Sequence, residues 1–565
     1  MNLLKIFNFF IGKITFLNFV DVLINFFLIF LIILTELLFL SAFFLLLNQF
    51  NDSQIFSIFF NLIENNMPNL GKSFSLTETY IIILIFFLIL KNILIVFQKY
   101  YYSTLIHKIA SEKSSEILNF YLSKNFELFS KKEVSVYTKQ IIRDVENVFL
   151  GIFGLIISFV GELLYVLVLL IYSSQLVEFK FSSSIFVLII IIISSLYFLY
   201  EKAKSLGEIR ALNEINVFKS LMDTLNLFKE IKILGNAREF VNRYKSFLDS
   251  FYKTKIISDL INITPRFIFE LFVLVFFFLV YKTESNQLNI NEFIMKYSVF
   301  VVAIVRLIPS FSRLSTYSST ILYNLNSIKF IENDFFKKDV KEKKITKKIP
   351  IKNIKLNGVK LKFINHKNQN SKINLKNFNY TFSKSKIYGI YGESGAGKTS
   401  LLNLLSGFIK PSKGIIKFND IIENSEEILN KFKIGYCSQS PTILNENILF
   451  NSTLKYENSL NDQIKLKKYL KKLNLNKFTN KKYFLINSSK TISNMSGGEK
   501  QRIGFIRSLI NGPDLILLDE PTSALDKKNE KKILDFLISI KKDKIIIVVS
   551  HKDDQKKYFD EIINL

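Results

Sequence analysis

The first half of the chain contains six long apolar runs that are separated by polar segments. The runs cover residues 23–47, 79–97, 148–172, 183–200, 267–281 and 294–311. A helix needs about 20 predominantly apolar residues to cross a bilayer, and several such runs in series are not expected of a soluble core. The pattern therefore predicts a transmembrane domain of six helices.

The polar segments between these runs alternate between long and short. The long ones, residues 98–147 and 201–266, have helical composition and many Lys and Arg residues, whereas the short ones have few. Basic residues favour the cytoplasmic side of a membrane. We therefore expect the long segments and both termini to lie in the cytosol.

The pattern changes after residue 335. We expect a basic linker at residues 336–350, followed by short β-like runs that alternate with helical stretches over residues 351–565. The clearest β-like runs are Ile387–Tyr391, Ile434–Tyr436, Leu515–Leu518 and Ile545–Val549. Such alternation is typical of α/β domains. The predicted architecture is a multi-domain membrane protein, with a helical transmembrane domain over residues 1–335 and an α/β domain over residues 351–565.

The charge balance favours the same interpretation. The 565 residues include 75 Lys and Arg against 48 Asp and Glu, which gives a net charge of +27. Such an excess is typical of nucleic-acid binders or of membrane proteins with basic cytosolic segments. Residues 1–350 carry +9 and residues 351–565 carry +18. Because a soluble protein acting on nucleic acid has no use for six spans, we expect no nucleic-acid partner.

A glycine-rich loop in the second domain predicts phosphate binding. The stretch Gly392–Thr399 fits the pattern G-x-x-x-x-G-K-[ST], follows an apolar strand and precedes a helical segment. In this context backbone amides wrap phosphates, Lys398 reaches the β- and γ-phosphates, and Thr399 can ligate magnesium. The candidate ligands in this loop are Gly392, Ser394, Gly395, Gly397, Lys398, Thr399 and Ser400. The second domain is thus predicted to be an α/β P-loop nucleotide-binding domain.

The apolar run Leu515–Leu518 ends in two carboxylates, Asp519 and Glu520. In a nucleotide site Asp519 would position magnesium, and Glu520 would polarise the water that attacks the terminal phosphate. Taken alone, the same residues also fit a strand that ends in a solvated acidic turn. The preceding segment Ser496–Arg502, with the sequence S-G-G-E-K-Q-R, favours the first interpretation.

That segment resembles the signature of the ATP-binding cassette (ABC) transporter family, which is close to L-S-G-G-Q. Met495 stands in place of the Leu and Glu499 in place of the Gln. The resemblance implies that Ser496, Gly497 and Gly498 meet the γ-phosphate of ATP from the head of a helix.

The resemblance to ABC transporters extends in order over residues 392–551 and implies further roles. Gln439 matches the Q-loop glutamine, which contacts magnesium, and Ser523–Asp526 match the D-loop. His551 matches the switch histidine, which contacts the γ-phosphate, and Phe363 aligns with the aromatic residue that stacks on adenine, with an alternative assignment two residues away.

The same resemblance implies the catalytic set, the metal ligands and the cofactors. The expected catalytic residues are Glu520, His551 and Gln439. The expected metal ligands are Thr399, Gln439 and Asp519. The expected cofactors are ATP and Mg²⁺, and the expected activity is ATP hydrolysis coupled to transport.

One cassette per chain implies a dimer, because in ABC proteins one nucleotide lies between the P-loop of one domain and the signature of another. The partner is either a second copy or a related half. Since Glu520, Gln439 and His551 are all present, we expect two competent sites and therefore a homodimer.

Six spans followed by one cassette resemble ABC exporters, and the membrane half resembles PglK-type lipid-linked oligosaccharide flippases. The residues that carry the second resemblance are Thr264–Phe267, Val305–Ser310 with Arg313, Phe126–Phe129 and Glu230–Gly235. This resemblance implies a lipid-linked saccharide as the transported partner and the cytoplasmic (inner) membrane of a bacterium as the location, with the nucleotide-binding domain in the cytosol.

Four basic residues within or beside apolar runs are candidates for a substrate cavity. They are Lys91, Arg266, Arg306 and Arg313. An ionised group at membrane depth costs roughly 2.5–3.5 kcal/mol on insertion scales and usually marks a pathway. A dimer would double these groups to about eight, which suits the pyrophosphate of a polyprenyl-linked glycan. The alternative is that they snorkel near helix ends and pair with Glu36, Glu162 or Glu270.

The expected function is ATP-driven flipping of a lipid-linked, pyrophosphate-bearing oligosaccharide across the membrane. One alternative is an ABC exporter of another lipid, a peptide or a drug-like amphiphile. Another is a cassette protein that gates or senses without pumping, against which the presence of Glu520 argues.

Overall fold

The computed structural model describes residues 16–48, 76–123, 126–130, 132–175, 182–284, 290–331, 348–364, 371–422, 425–485 and 495–565. The chain divides into two compact units. The first, which we call the membrane unit, comprises Met1–Ser123 and Lys132–Val340, and the second, the cassette unit, comprises Lys124–Lys131 and Lys341–Leu565. Within the expected linker, residues 336–347 lie outside the described residues.

The described part of the membrane unit consists of helices. The helices before residue 332 are α1 (Phe16–Asn48), α2 (Leu76–Ser123), α3 (Phe126–Phe129), α4 (Val134–Lys139), α5 (Val145–Val148), α6 (Leu155–Gln175), α7 (Ser182–Asn226), α8 (Phe228–Leu234), α9 (Ala237–Glu284) and α10 (Ile290–Ile331). All of them except α3 belong to the membrane unit. Two π-helical segments, Gln140–Asp144 and Phe149–Gly154, join α4, α5 and α6 without a break.

Three segments among the described residues are long and apolar enough to cross a membrane: Asn18–Phe44, Glu78–Ser123 and Val134–Tyr172. Only 28%, 6% and 33% of their most apolar windows are buried. Their apolar side chains therefore face outward, as expected where lipid is the solvent. The other three predicted runs lie on α7, α9 and α10, where the side chains of residues 183–200, and some of those in the last two runs, lie outside the described residues.

Helices α1, α6 and α10 pack around a buried apolar cluster that includes Leu40, Leu169 and Leu307. Both α9 and α10 contain a proline inside the helix, Pro265 and Pro309. Prolines are tolerated in transmembrane helices because neighbouring groups satisfy the backbone atoms that they leave unpaired.

The cassette unit contains two sheets. Its described strands are β1 (Asn353–Ile364), β2 (Ser371–Ser383), β3 (Lys386–Tyr391), β4 (Lys413–Phe418), β5 (Ile421–Ile422), β6 (Ile434–Cys437), β7 (Leu515–Asp519), β8 (Ile545–Val549) and β9 (Glu561–Asn564). The core sheet has the order β6-β7-β8-β3-β9 with parallel neighbours, and the second sheet has the antiparallel order β2-β1-β4-β5. The four clearest predicted strands are all present.

Helices and short connections cover the core sheet. The cassette helices are α11 (Lys398–Leu405), α12 (Ser425–Lys431), α13 (Ile448–Thr453), α14 (Leu460–Lys472), α15 (Lys481–Phe484), α16 (Gly497–Leu509) and α17 (Lys527–Ile540). Every residue of β7 and β8 is buried, which explains why these strands are continuous apolar runs rather than alternating ones. In such sheets ligands bind beyond the carboxyl ends of the strands. The predicted nucleotide ligands follow β3, β6, β7 and β8 at that edge.

The short helix α3 lies in the cassette unit although its neighbours in sequence belong to the membrane unit. The Phe126 ring centroid is 5.3 Å from that of Phe408, and the Phe408 ring is 6.0 Å from that of Tyr436 in β6. This aromatic series leads from the chain segment that follows α2 to the strand that precedes Gln439.

Candidate functional site

The P-loop between β3 and α11 has the backbone shape that its glycines predict. Gly392, Gly395 and Gly397 have positive φ angles of 152°, 87° and 102°, which residues with a side chain rarely adopt. The Lys398 Nζ atom donates hydrogen bonds to the carbonyl oxygens of Gly392 and Glu393, at 2.8 and 2.9 Å. The loop thus holds its ammonium group at the concave turn where phosphates would bind.

Two expected metal ligands come together at the carboxyl edge of the sheet. The Thr399 hydroxyl donates a 2.9 Å hydrogen bond to Oδ2 of Asp519, the last residue of β7. Burial raises the pKa of Asp519, although Thr399 and the charge of Lys398 oppose the shift. Hydroxyl and carboxylate oxygens are ligands that Mg²⁺ prefers, so these residues fit the ion.

The described residues contain no cluster of three or more His, Cys, Asp or Glu side chains that could hold a metal ion.

Two of the three predicted catalytic residues contact the carboxylate of the third, Glu520. The Gln439 Nε2 atom donates to Oε2 of Glu520 at 3.0 Å, and His551 Nε2 lies 3.2 Å from Oε1. Glu520 has a φ of 48°, a conformation that is uncommon for a residue with a side chain. Its own backbone amide donates to the carbonyl of Val549 at the end of β8.

A fourth polar residue at this site was not predicted. Gln501 is buried in α16, and its Nε2 atom donates to the Glu520 carbonyl at 2.8 Å and to Ser523 Oγ at 2.9 Å. Its Oε1 atom accepts from the Ala524 amide at 3.0 Å. Gln501 therefore ties the residue that follows β7 to the D-loop. The sequence signal was its position in the signature helix, but nothing in the pattern indicated which groups its amide would contact.

The signature segment begins α16 with a complete capping box. The Ser496 hydroxyl accepts from the Glu499 amide at 3.2 Å, and the Glu499 carboxylate accepts from the Ser496 amide at 3.0 Å. Glu499 also pairs with Lys477 at 2.5 Å. Burial alone would raise the pKa of Glu499, but Lys477 and the Ser496 amide outweigh it and lower the pKa. The departure from Gln is thus accommodated as an ionised side chain.

The two signature glycines lie beside the D-loop of the same chain. A Cβ atom at Gly498 would lie 3.0 Å from the Ala524 carbonyl oxygen, whereas one at Gly497 would be 3.8 Å from the Ala524 methyl. The close approach at Gly498 explains why a larger residue would disturb this contact.

The remaining predicted ATP ligands are placed as follows. Ser394 is exposed in the P-loop, and Ser400 lies in the first turn of α11. Phe363 lies opposite Lys372 in the β1–β2 pair, but its side chain is outside the described residues, so stacking on adenine stays a prediction.

Three of the four predicted cavity cations line one cavity of the membrane unit. The cavity has a volume of about 440 Å³, and its lining includes Lys91 from α2 and both Arg306 and Arg313 from α10. Tyr102, Tyr165 and Tyr317 also line it.

Carboxylates of the same chain balance these cations. The fully buried Glu36 side chain pairs with Lys91 and lies 3.4 Å from Arg306, whose guanidinium also lies over the Phe39 ring. Glu162 pairs with Arg313 at 2.7 Å, and the Arg313 side chain remains 46% exposed. Four cations, Lys91, Lys99, Arg306 and Arg313, and one carboxylate, Glu162, therefore line the cavity. Glu36 is not part of the lining but is buried in contact with two of these cations.

Glu36 and Glu162 neutralise part of the positive charge, which agrees with the alternative in which these cations pair with Glu36, Glu162 or Glu270. Arg266 is the fourth predicted cation, and it lies elsewhere. Its side chain is 56% exposed on α9 and pairs with Glu270, four residues along the helix, at 2.8 Å. It does not line the cavity of Lys91, Arg306 and Arg313.

Comparison with known proteins identifies both units. Residues 375–523 match the family model described as ABC transporter, and residues 38–307 match that described as ABC transporter transmembrane region. The chain is 36% identical over 221 residues to the phosphonates import ATP-binding protein of Fusobacterium nucleatum. The aligned region covers 35% of this chain and 85% of that protein. The chain belongs to the ABC transporter family.

Longer relatives show how this ABC transporter is organised. It is 25% identical over 537 residues to a Rickettsia typhi protein that is named as an export ATP-binding/permease protein, with 90% of this chain and 88% of the relative aligned. With an ATP-binding/permease protein of Haemophilus influenzae it is 33% identical over 211 residues, and this alignment spans only 38% of that relative's length.

The fold also matches a solved structure of a bacterial Atm1-family ABC exporter with ATP bound, with a TM-score of 0.77 and 16% identity over 95% of this chain and 92% of that one. The predicted fold class, helical transmembrane domain followed by an α/β nucleotide-binding domain, is confirmed. The chain is an ABC exporter half-transporter, and ABC transporters couple ATP hydrolysis to transport.

Proposed function

We propose that two copies of this chain form a flippase that uses Mg²⁺-ATP to move a lipid-linked oligosaccharide across the cytoplasmic membrane of a bacterium. The substrate would carry a pyrophosphate between its polyprenyl chain and its glycan. The observation that carries this proposal is the convergence of Lys91, Arg306 and Arg313 on one membrane cavity.

The cations of the cavity differ in how available they are to an anion. The Lys91 and Arg306 side chains are 12% and 28% exposed and share the buried Glu36, whereas Arg313 is 46% exposed. Arg313 is thus the group that a pyrophosphate would meet, in place of or beside Glu162. A guanidinium binds phosphate oxygens in a bidentate manner, so one arginine per chain gives two clamps in a dimer.

The roles of the nucleotide site follow from its contacts. Lys398 and the amides of the P-loop would hold the β- and γ-phosphates, while Thr399 and Asp519, with Gln439, would hold Mg²⁺. The ion would neutralise charge on the phosphate oxygens when bound. Glu520 would orient and polarise the attacking water, and His551 together with Gln439 would fix its carboxylate.

A homodimer accounts for the signature segment. Ser496, Gly497 and Gly498 begin α16, so their amides and hydroxyl would face the γ-phosphate held by the P-loop of the partner copy. Because the same chain also contains Glu520 and His551 in contact, both sites of such a dimer would be competent.

A specific observation favours a second candidate substrate class. Glu36 and Glu162 neutralise part of the cavity charge, and isoleucines of α1, including Ile29, Ile32 and Ile33, line the same cavity. A cavity of this kind also suits another lipid, a peptide or a drug-like amphiphile without a diphosphate.

Transport in proteoliposomes distinguishes the two. The purified chain is reconstituted with a fluorescent pyrophosphate-linked oligosaccharide lipid or with a neutral glycolipid of equal chain length, and ATP-dependent loss of accessibility is measured. We expect translocation of the pyrophosphate-linked lipid only. Equal movement of both lipids, or movement of the neutral one alone, would favour the second class.

A further inference from the structure

The cassette unit contains a second cavity at the edge of the core sheet opposite to the nucleotide site. The nucleotide ligands follow the carboxyl ends of the parallel strands, whereas this cavity is lined by residues that precede β6 and β7, including Lys433 and Pro513. From there the cavity extends along β6 to Tyr436. The cavity has a volume of about 400 Å³. We call it the basic edge cavity.

All of the charged residues that line the basic edge cavity are positive. Four cations line it: Lys348, Lys433, Lys455 and Arg507. None of the described residues that line it is Asp or Glu. The nearest carboxylate paired with the set is Asp462, at 3.7 Å from Lys455. This differs from the membrane cavity, where Lys91, Arg306 and Arg313 each have a carboxylate of the same chain beside them.

Two further lysines border the basic edge cavity and increase the crowding of positive charge. Lys465 donates to the Ile510 carbonyl at 2.6 Å, and Lys544 donates to the Pro513 carbonyl at 2.7 Å. Burial and then the charge of Lys433 lower the pKa of Lys348. Burial, then the charges of Lys544 and Lys433, lower the pKa of Lys465 in spite of Asp462. Like charges this close repel each other, and an anion between them would relieve that repulsion.

The donors are held in place by the protein itself. Lys348 Nζ donates to the carbonyl oxygens of Leu429 and Phe432, at 2.5 and 3.3 Å. Arg507 donates through Nε to Asn451 and through Nη2 to Thr442, at 2.8 and 3.0 Å. Side chains that are already ordered lose less conformational entropy when a ligand binds.

We propose that the basic edge cavity is a binding site for a phosphate-bearing anion, separate from the ATP site. A guanidinium and several ammonium groups converging from different elements are what recognises a phosphate or diphosphate. The anion would be either a soluble phosphorylated molecule or the head group of an anionic phospholipid.

Two chain segments connect the basic edge cavity to the catalytic residues. Arg507 lies in α16, the helix that begins with the signature and contains Gln501, and Tyr436, which also lines the cavity, is three residues before Gln439. An anion held at Arg507 would therefore stiffen both segments. Because a ligand that binds only the folded state stabilises it by mass action, binding also raises the thermal stability of the chain.

Inorganic pyrophosphate tests the soluble source. The full chain is purified with its ATP site saturated by Mg²⁺ and a non-hydrolysable ATP analogue, and pyrophosphate is titrated calorimetrically. We expect the double variant Lys348→Ala/Lys433→Ala to bind about tenfold or more weakly than the wild type. The control Lys413→Ala/Lys527→Ala removes two exposed lysines that do not line the cavity and should bind like the wild type.

Anionic lipid tests the other source. In nanodiscs with or without phosphatidylglycerol, amine-reactive labelling of Lys433 is compared by mass spectrometry, with Lys527 as the reference lysine. Protection of Lys433 by phosphatidylglycerol but not by pyrophosphate supports the proposal with a lipid ligand. If the double variant does not fold, the single variant Lys433→Glu is tested in its place, because substitutions at exposed positions usually change stability little. Equal binding by wild type and both double variants, or no binding and no protection with either probe, overturns the proposal.

Discussion

The nucleotide site and the membrane cavity both collect charged residues from distant parts of the chain, but they balance charge differently. In the nucleotide site Lys398 is held by backbone carbonyl oxygens alone, so its charge is available to phosphates. In the membrane cavity Glu36 and Glu162 already neutralise part of the positive charge. A nucleotide thus completes its site, whereas an anionic substrate of the cavity must compete with a carboxylate of the protein.

The contrast also concerns solvent. The cassette carries most of the net charge of the chain in water, where unpaired lysines are inexpensive. At membrane depth an unpaired charge is costly, which explains why Lys91 and Arg306 share a carboxylate that is itself fully buried. An unpaired basic residue is therefore inexpensive in the cassette unit but costly at membrane depth.

The largest expected effect is at the carboxylate that Gln439 and His551 contact. Glu520→Gln should lower steady-state ATP hydrolysis by about 10²–10⁴-fold, since the amide cannot polarise water, and should leave ATP binding intact. Hydrolysis and equilibrium binding of ATP by the purified protein measure both effects. The control Glu457→Gln, at an exposed carboxylate, should hydrolyse ATP like the wild type. Steady-state turnover at the wild-type rate in Glu520→Gln would refute the assignment of the base.

The next largest effect is expected on the stability of the membrane unit when the buried carboxylate Glu36 is replaced. Glu36→Gln leaves Lys91 and Arg306 without their shared carboxylate and should destabilise the membrane unit by about 3–5 kcal/mol, as expected when one member of a buried ion pair is removed. Glu270→Gln removes a carboxylate whose partner Arg266 is largely exposed, and should cost less than about 1 kcal/mol. Thermal unfolding in detergent measures both, and equal losses would show that Glu36 is not a structural counter-ion.

A smaller effect is expected at Gln501. Gln501→Ala removes three hydrogen bonds that fix Glu520 and the D-loop, and should lower kcat for ATP about tenfold while leaving KM within about twofold. This split is measured by ATPase kinetics. An increase in KM with unchanged kcat would mean that Gln501 acts on nucleotide binding instead.

The smallest effect is expected where the signature departs from its family. Glu499→Gln keeps a side chain that can complete the capping box and loses only the ion pair with Lys477. The ATPase rate at neutral pH should stay within about twofold, since the Lys477 side chain is 59% exposed and ion pairs with a solvated partner contribute about 1 kcal/mol or less. A loss of activity beyond tenfold would assign Glu499 a direct role.

Much of the cassette could be predicted because its function depends on short motifs. The strands before Gly392, Gln439, Asp519 and His551 are apolar runs, and a parallel sheet brings their carboxyl ends to one edge. The contacts of Gln501 could not be predicted, since they depend on the packing of α16 against the D-loop. No sequence pattern gives the distance between a side-chain amide and a carbonyl 19 residues away.

The membrane cavity was less predictable for a physical reason. The pairing of Glu36 with Lys91 and Arg306 depends on how α1, α2 and α10 are rotated against each other, and apolar runs without a polar face do not specify that rotation. Arg266 was predicted as a cavity residue but forms a local pair instead. Glu270 follows it by four residues, which places both on one helix face, so the spacing of the two residues favours this pair.

The most direct test of the proposed anion-binding cavity compares Arg313, which follows Pro309 in α10, with Arg266, which follows Pro265 in α9. Arg313→Ala and Arg266→Ala are each reconstituted, and ATP-dependent flipping of the pyrophosphate-linked oligosaccharide lipid is measured together with ATP hydrolysis. We expect Arg313→Ala to lose flipping by at least about tenfold while its cassette still hydrolyses ATP, and Arg266→Ala to retain flipping. Equal flipping by the two variants would contradict this expectation.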